Sequence, residues 1–290
     1  MALEELYTVY GPKTTLEMSW REAEQILKKS DIAIVIVGAT EQHGPHNPMG
    51  VDTFIPLETA KRALRLLEKE GIKALIPTPV PFGMSHHHLH YPGTIALRPE
   101  TLIELLFDIG QCLADQGINK IVFMIGHTSA EQESCCHIAG LRLQQKFGTA
   151  YTLFNRVRVR QRFTEEEKAK FNNARRSKIF DSHAGERETS CILAVAPKLV
   201  IREWLEGGPS EAADRIYREG LLLGEAIRKG AHPLKKSHML VPYPAPQDYT
   251  YKGLGQTGDP TVATAEYGNV VLDLEAKYLA DIIRNLVKMQ

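Results

Sequence analysis

Residues 31–52 read DIAIVIVGATEQHGPHNPMGVD. The first seven, Asp31 to Val37, form a short apolar run rich in Ile and Val and closed by Gly38, which is the pattern of a buried strand rather than a helix. Polar side chains follow at once, with Glu41, His43 and Asp52 in the next fifteen residues. In an open α/β sheet ligands bind outside the carboxyl ends of strands, so the segment predicts half of a metal site at such an edge. Glu41 and His43 are two residues apart, and in an extended stretch both face one side. Gly44, Pro45, Pro48 and Gly50 turn the loop so that Asp52 can return to the same place. Carboxylate and imidazole donors suit Zn²⁺ or Mn²⁺, and a carboxylate can bridge two such ions. The structural alternative is a capped loop that carries a surface histidine.

Working outward, strand-like runs recur at Asp31–Val37, Lys73–Pro77, Lys120–Ile125 and Ala150–Val157. Helical patterns alternate with them. Phe54 to Glu70 places Leu57, Ala60, Ala63, Leu64 and Leu67 on one face. Thr101 to Gln116 repeats the spacing, opened by Pro99 and closed by Gly117. Strand–helix alternation predicts an α/β fold with a mostly parallel sheet and helices on both faces. Ser210–Lys229 and Glu266–Met289 read as two long surface helices, with an irregular proline-rich stretch between them. No internal repeat or linker divides the chain, so one domain is expected over residues 1–290. The stretch Arg156–Arg162, RVRVRQR, reads as a strand with one solvated face; a site for an anionic partner is the minority reading.

Composition narrows the function. The 290 residues are 43% hydrophobic and 24% charged, and 35 basic residues balance 35 acidic ones. No long-range field recruits nucleic acid or an anionic membrane. The amino terminus lacks the layout of a signal peptide, and no apolar run reaches the roughly 18 residues of a membrane span. Cys112, Cys135, Cys136 and Cys191 show no CxxC spacing and read as buried small hydrophobes in a reduced, cytoplasmic setting.

Three further clusters carry chemistry. Gly126-His127-Thr128-Ser129-Ala130-Glu131 follows the third strand run, so His127 also sits at a strand's carboxyl end, while Thr128 or Ser129 can cap a helix with Glu131 and Glu133 in its first turn. Asp181-Ser182-His183-Ala184-Gly185-Glu186-Arg187-Glu188 offers Glu188 as a ligand and His183 as a proton carrier. Gly83-Met84-Ser85-His86-His87-His88-Leu89-His90 looks like a metal tract. Successive residues point in different directions, so at most two of its histidines can share one ion; the expectation is a pocket-lining loop with Ser85 and His88 contacting substrate.

These segments, with GQTGDPTVATAEYG at Gly255–Gly268, occur in the order found in the creatininase family of metal-dependent amidohydrolases, which the chain resembles from about Ile32 to Gly268. The resemblance implies a three-layer α/β/α sandwich and a two-metal hydrolase, a homo-oligomer and by that likeness a homohexamer. It implies zinc, manganese or both as the two ions per subunit, with iron compatible. Carried over by motif, Glu41, His43, Asp52 and His127 match ligands, with Asp52 as the bridge. Creatininase takes a glutamate two residues after the histidine matching His127, where this chain has Ser129; relatives lacking it use the position of Glu188, which becomes the fifth ligand. His183 matches a histidine beside the substrate.

The implied chemistry is a hydroxide shared by ions about 3.5–4 Å apart attacking a carbonyl, with His183 as proton donor and Glu186 or Glu131 as an aid. Two departures bear on substrate. Creatininase closes its pocket with a tryptophan just before the histidine matching His183, where this chain has Lys178-Ile179-Phe180. The family's commoner Asn-Gly-His-Gly-Gly-Asn is replaced by Ile125-Gly126-His127-Thr128-Ser129-Ala130, which adds hydroxyls at Thr128 and Ser129 to the substrate side. The leading expectation is hydrolysis of a small cyclic amide or related carbonyl compound. The alternatives are a carbon–carbon hydrolase opening an oxidised inositol ring of the 3-dehydro-scyllo-inosose type and, in another class, a non-catalytic metal- or ligand-binding module.

Overall fold

The structure is a computed structural model, and it describes residues 11–89, 91–179, 181–205 and 255–289. Its centre is a parallel sheet in the order β1–β2–β3: β1 (Ile32–Val37), β2 (Lys120–Ile125) and β3 (Ala150–Asn155). Ile32 pairs with Lys120 and Lys120 with Ala150, so the three strands end level, at Val37, Ile125 and Asn155. All six residues of β1 are buried, as expected of a parallel strand covered on both faces.

The strand period sorts these residues into two cores. Ile32, Ile34, Ile36, Val122, Met124 and Phe154 pack against α2 (Val51–Glu68) and the long C-terminal helix α8 (Ala265–Lys288). Ala33, Val35, Val37, Ile121, Phe123 and Ile125 pack the other way, against α1 (Trp20–Leu27), α3 (Pro99–Asp115) and α4 (Ala130–Phe147). Each such aliphatic side chain withdrawn from water contributes about 1.5–3 kcal/mol. The result is the α/β/α sandwich that the alternating pattern predicts. The chain completes the first layer with α5 (Arg156–Arg160), α6 (Glu165–Ala174) and α7 (Glu186–Val195).

Four expectations change. The run Lys73–Pro77 lies beside β1 and exchanges hydrogen bonds with it, Leu75 N–H to Ile32 O at 2.9 Å and Ile34 N–H to Leu75 O at 2.8 Å, but it forms a single isolated bridge, Leu75 with Ala33, rather than a strand. Pro77 and Pro79 lack the N–H groups that a continuous ladder needs. The alternating RVRVRQR stretch is helix α5, not strand. The Asn155 side chain caps it by accepting from the N–H groups of Val157 and Arg158, and Arg156, only 2% exposed, and Arg160 both reach Glu275 on α8. Helix α8 itself is not a surface helix: Val271, Leu272, Ala276, Leu279, Ala280 and Ile283 are fully buried. Cys135, Cys136 and Cys191 are buried as expected, whereas Cys112 is exposed. The expected helix Ser210–Lys229 lies outside the described residues, as does most of the stretch from His232 to Asp259. Among the described residues no helix is long and apolar enough to cross a membrane.

Candidate metal centre

The level ends of β1 and β2 place the two predicted halves of the site side by side. Beyond Val37 the backbone stays extended, the Thr40 carbonyl accepting from Ile95 N–H at 3.0 Å, so Glu41 and His43 face the same cleft. The loop reverses at Gly44, whose φ of 70° is left-handed, and α2 begins at Val51, so Asp52 stands in its first turn. Gly126 follows β2 and, lacking a Cβ, lies against the Asp52 carbonyl and Pro56 in that turn. From the opposite side α7 presents Glu188 in its own first turn. The positive ends of two helices thus face the carboxylates.

The side chains converge tightly. His127 Nδ1 is 3.1 Å from Glu41 Oε1 and 3.3 Å from Asp52 Oδ2. His43 Nε2 is 3.6 Å from Asp52 Oδ1, 3.7 Å from Glu188 Oε2 and 3.9 Å from Glu41 Oε1. Asp52 thereby lies between the two imidazoles. Glu41 is 0% exposed, His43 1% and Asp52 4%. Three carboxylates in so dry a place cost several kcal/mol apiece unless cations accompany them.

The charge balance shows the same demand. Burial disfavours ionisation of the Asp52 carboxyl, but His43 and His127 hold it well below the usual carboxylate range. Burial likewise works against charge on His43, yet Asp52, Glu188 and Glu41 outweigh it and lift its pKa to about 9. His127 is raised well above its ordinary value against the same burial cost, chiefly by Glu41 and Asp52. Glu188 is depressed to about 2 despite burial, first by Arg187 and then by His43. The residues fit divalent cations on a further count: Glu41 Oε2, His43 Nε2, Asp52 Oδ2 and His127 Nε2 are all buried without a hydrogen-bond partner. Glu41, His43 and Asp52 offer ligand atoms within 4.8 Å of one another, and so do His43, His183 and Glu188.

His183 is set by its loop. Thr257 accepts from its N–H at 2.9 Å, and the Gln42 carbonyl, which can only accept, takes the Nε2 proton at 2.7 Å. Nδ1 is then left facing the carboxylates, 3.8 Å from Glu41 Oε1. Ala184 next to it is the one described non-glycine residue with positive φ, 52°. Its N–H donates to Glu188 Oε2 at 2.7 Å and its carbonyl lies 3.1 Å from His46 Nε2. Arg187 joins the same assembly through Glu188 Oε1 and the Ser182 carbonyl.

The expected substrate residues fall in different places. Ser85 is fully buried, its hydroxyl without a partner, and His88 is buried with Nδ1 3.0 Å from Gln42 Nε2 and its ring stacked on that of His183. Thr128 is exposed, and the Ser129 hydroxyl caps α4 by accepting from Gln132 N–H at 3.2 Å. Glu186, named as a proton-transfer aid, has both oxygens taken by the N–H groups of Arg176 and Ser177, so it anchors that loop. Glu131 is in the first turn of α4.

Sequence reasoning passed over Gln42, His46, His87 and Arg187. Gln42 Nε2 donates to His88 Nδ1 and the Gly255 carbonyl while its backbone carbonyl accepts from His183 Nε2, joining three segments. His46 is fully buried and its pKa falls to about 4 through burial, so it is neutral beside Thr189 and Ala184. Two of these had a signal in plain view, since Gln42 lies between two predicted ligands and His87 in the histidine tract.

Comparison with known proteins gives the family. The creatininase family profile, described as creatinine amidohydrolase, matches residues 16–283. The 3-dehydro-scyllo-inosose hydrolase of Thermotoga maritima is 26% identical over 93% of this chain and 82% of that protein. The mycofactocin precursor peptide peptidase of Mycobacterium ulcerans is 28% identical over 81% of this chain and 77% of its own length. A solved structure described as "Creatininase Mn" shares the fold with a TM-score of 0.70 at 24% identity, over 94% of this chain and 98% of that one. A mutant creatininase of Zn-Zn type covers the same shares at 24% identity, with a TM-score of 0.69. With the fold, the order of the motifs and a profile match over nearly the whole described length in agreement, this chain belongs to the creatininase family of hydrolases.

Proposed function

We propose that the chain is a divalent-metal-dependent hydrolase that cleaves a carbon–nitrogen bond at the carbonyl of a small cyclic amide or related compound. The observation that carries this reading is the buried set Glu41, His43, Asp52, His127 and Glu188, with four of its ligand-competent atoms unpartnered. Two ions, zinc, manganese or both, would be held there, Glu41 and His127 on one side, His43 and Glu188 on the other, and Asp52 between them. Bound, they would supply a water of lowered pKa and polarise a carbonyl oxygen.

The chain's own groups supply the rest. His183, its Nε2 proton held by the Gln42 carbonyl, moves a proton through Nδ1, taking it from the attacking water and giving it to the leaving nitrogen. Burial lowers the His183 pKa, which suits a group that must begin as a base. Arg187 and Ala184 fix the Glu188 carboxylate from two directions. Ser85, whose buried hydroxyl has no partner, and His88 meet the substrate, with Thr128 and Ser129 at the outer rim. The single-domain organisation, the homohexamer and a cytoplasmic setting belong to the same proposal.

The test is a substrate panel with Mn²⁺ or Zn²⁺ added, covering creatinine, other cyclic amides, formamides and oxo-inositols, repeated after chelation. Metal-restored release of an amine or ring-opened amide supports the proposal. Turnover that survives chelation, or turnover confined to carbon–carbon cleavage of an oxo-inositol, overturns it.

A further inference from the structure

The histidine tract does not act as one unit. His86–His88 form a single 3₁₀ turn after Ser85. With three residues per turn, successive side chains diverge by about 120°. His88 is thereby directed to Gln42 and His183. The His87 ring, its centroid 4.1 Å from that of His88, continues to His127 and stacks on that ring with centroids 5.4 Å apart. One ligand atom each of Glu41, His87 and His127 lie within 4.8 Å of one another. His87 makes no hydrogen bond with a side chain or backbone group among the described residues that would engage its ring in another task.

The donor count gives this placement a purpose. On the His43 side, Glu188 lies 3.7 Å from His43 Nε2 and stands where Ser129 supplies nothing, because the Ser129 hydroxyl is committed to the start of α4. On the other side Glu41, His127 and the shared Asp52 give three donors, one short of the four that close a tetrahedral zinc site. We propose that His87 is the fourth, a direct ligand to the ion on the Glu41–His127 side; the inference rests on the metal-centre reading above. The two ions would then be unlike. One would be enclosed by two imidazoles and two carboxylates and held firmly, and the other, on the His43 side, would keep an open position for water or substrate. Two imidazoles on the first ion also favour zinc, cobalt or iron over manganese there.

The test is metal content of the purified full chain and of His87→Ala, with His86→Ala as the neighbouring control on the same turn. Each protein is dialysed against graded chelator, and Co²⁺ is then titrated into the metal-free forms while the visible spectrum is recorded. The expected result is two ions in the parent and in His86→Ala. His87→Ala should retain one, with the chelator needed to strip the other lowered at least about a hundredfold and the first Co²⁺ band shifted and weakened. His87→Asp, which restores an oxygen donor, should recover the second ion, and this variant keeps the test open if His87→Ala folds poorly. His87→Ala holding both ions at parental affinity with an unchanged Co²⁺ spectrum overturns the inference and leaves the metal centre standing. A parent protein that binds no divalent ion at all sinks both.

Discussion

Gly126→Ala is a small change that the structure predicts to be severe. A Cβ at Gly126 would lie 1.8 Å from the Asp52 carbonyl oxygen, 2.9 Å from its carbonyl carbon and 3.1 Å from Pro56 Cγ. Reaching even 3.0 Å from the oxygen requires a shift of about 1.2 Å (3.0 − 1.8), and the obstacle is backbone. Gly126 cannot retreat freely, because its N–H donates to the Val37 carbonyl at 2.8 Å. The first turn of α2 must therefore move away from β2, carrying Asp52 from His127, now 3.3 Å away. Overpacking of this kind costs about 1–3 kcal/mol, which at roughly 2 °C per kcal/mol for a domain of this size lowers Tm by about 2–6 °C. The functional loss should be larger, since a misplacement of about 1 Å in a catalytic constellation can cost ~100-fold in rate. Calorimetry of the metal-free protein and titration with Zn²⁺ give the two quantities separately. Parental Tm together with parental metal affinity would refute the argument that the close approach of β2 to α2 sets the spacing of the ligands.

Other outcomes follow from the same contacts. Burial penalises the Glu275 carboxylate, but Arg156 and Arg160 hold its pKa below 4.5, so its contribution is complete above that value and fades as the pH falls through the lower folded pKa. Glu275→Gln strands two arginines and should cost about 3–5 kcal/mol at pH 7, a gap that narrows in acid; urea denaturation as a function of pH reads this, and a pH-independent gap counts against it. His46→Ala removes the partner of the Ala184 carbonyl and should cost about 1–3 kcal/mol and loosen the ion beside Glu188; unchanged denaturation and metal titration would dismiss the role. Ser129→Ala should lose about 1 kcal/mol of helix-cap stability while keeping its metal content, and loss of an ion would make Ser129 a ligand.

The parts of the fold that were legible in the sequence are those where local pattern and burial coincide. IAIVIV, Ile32–Val37, is apolar at every position because both faces of β1 are covered, and the motifs after it stand at a strand end because the strands are parallel and level. RVRVRQR misled because its alternation has a cause far along the chain: Glu275 draws Arg156 and Arg160, four residues apart, to one side, a helical spacing disguised by the valines. The burial of α8 was hidden for a similar reason. Its charged residues Glu275 and Lys277 meet partners on α5 and α6, so polarity along the helix does not mark a solvent face. In the site, the donors themselves announced their chemistry, whereas Gln42, His46 and Arg187 act by holding another residue in place. Such a role has no local signature, since it is defined by the neighbour. The histidine tract was ambiguous until the fold showed which ring each histidine meets, His88 against His183 and His87 against His127.

The central claim is that Glu41, His43, Asp52, His127 and Glu188 hold two divalent ions. Anomalous diffraction at the zinc and manganese edges, on crystals of the protein purified without chelator, addresses it most directly. The account predicts two peaks about 3.5–4 Å apart, with Asp52 between them. A single peak, none, or peaks away from these five side chains would contradict it.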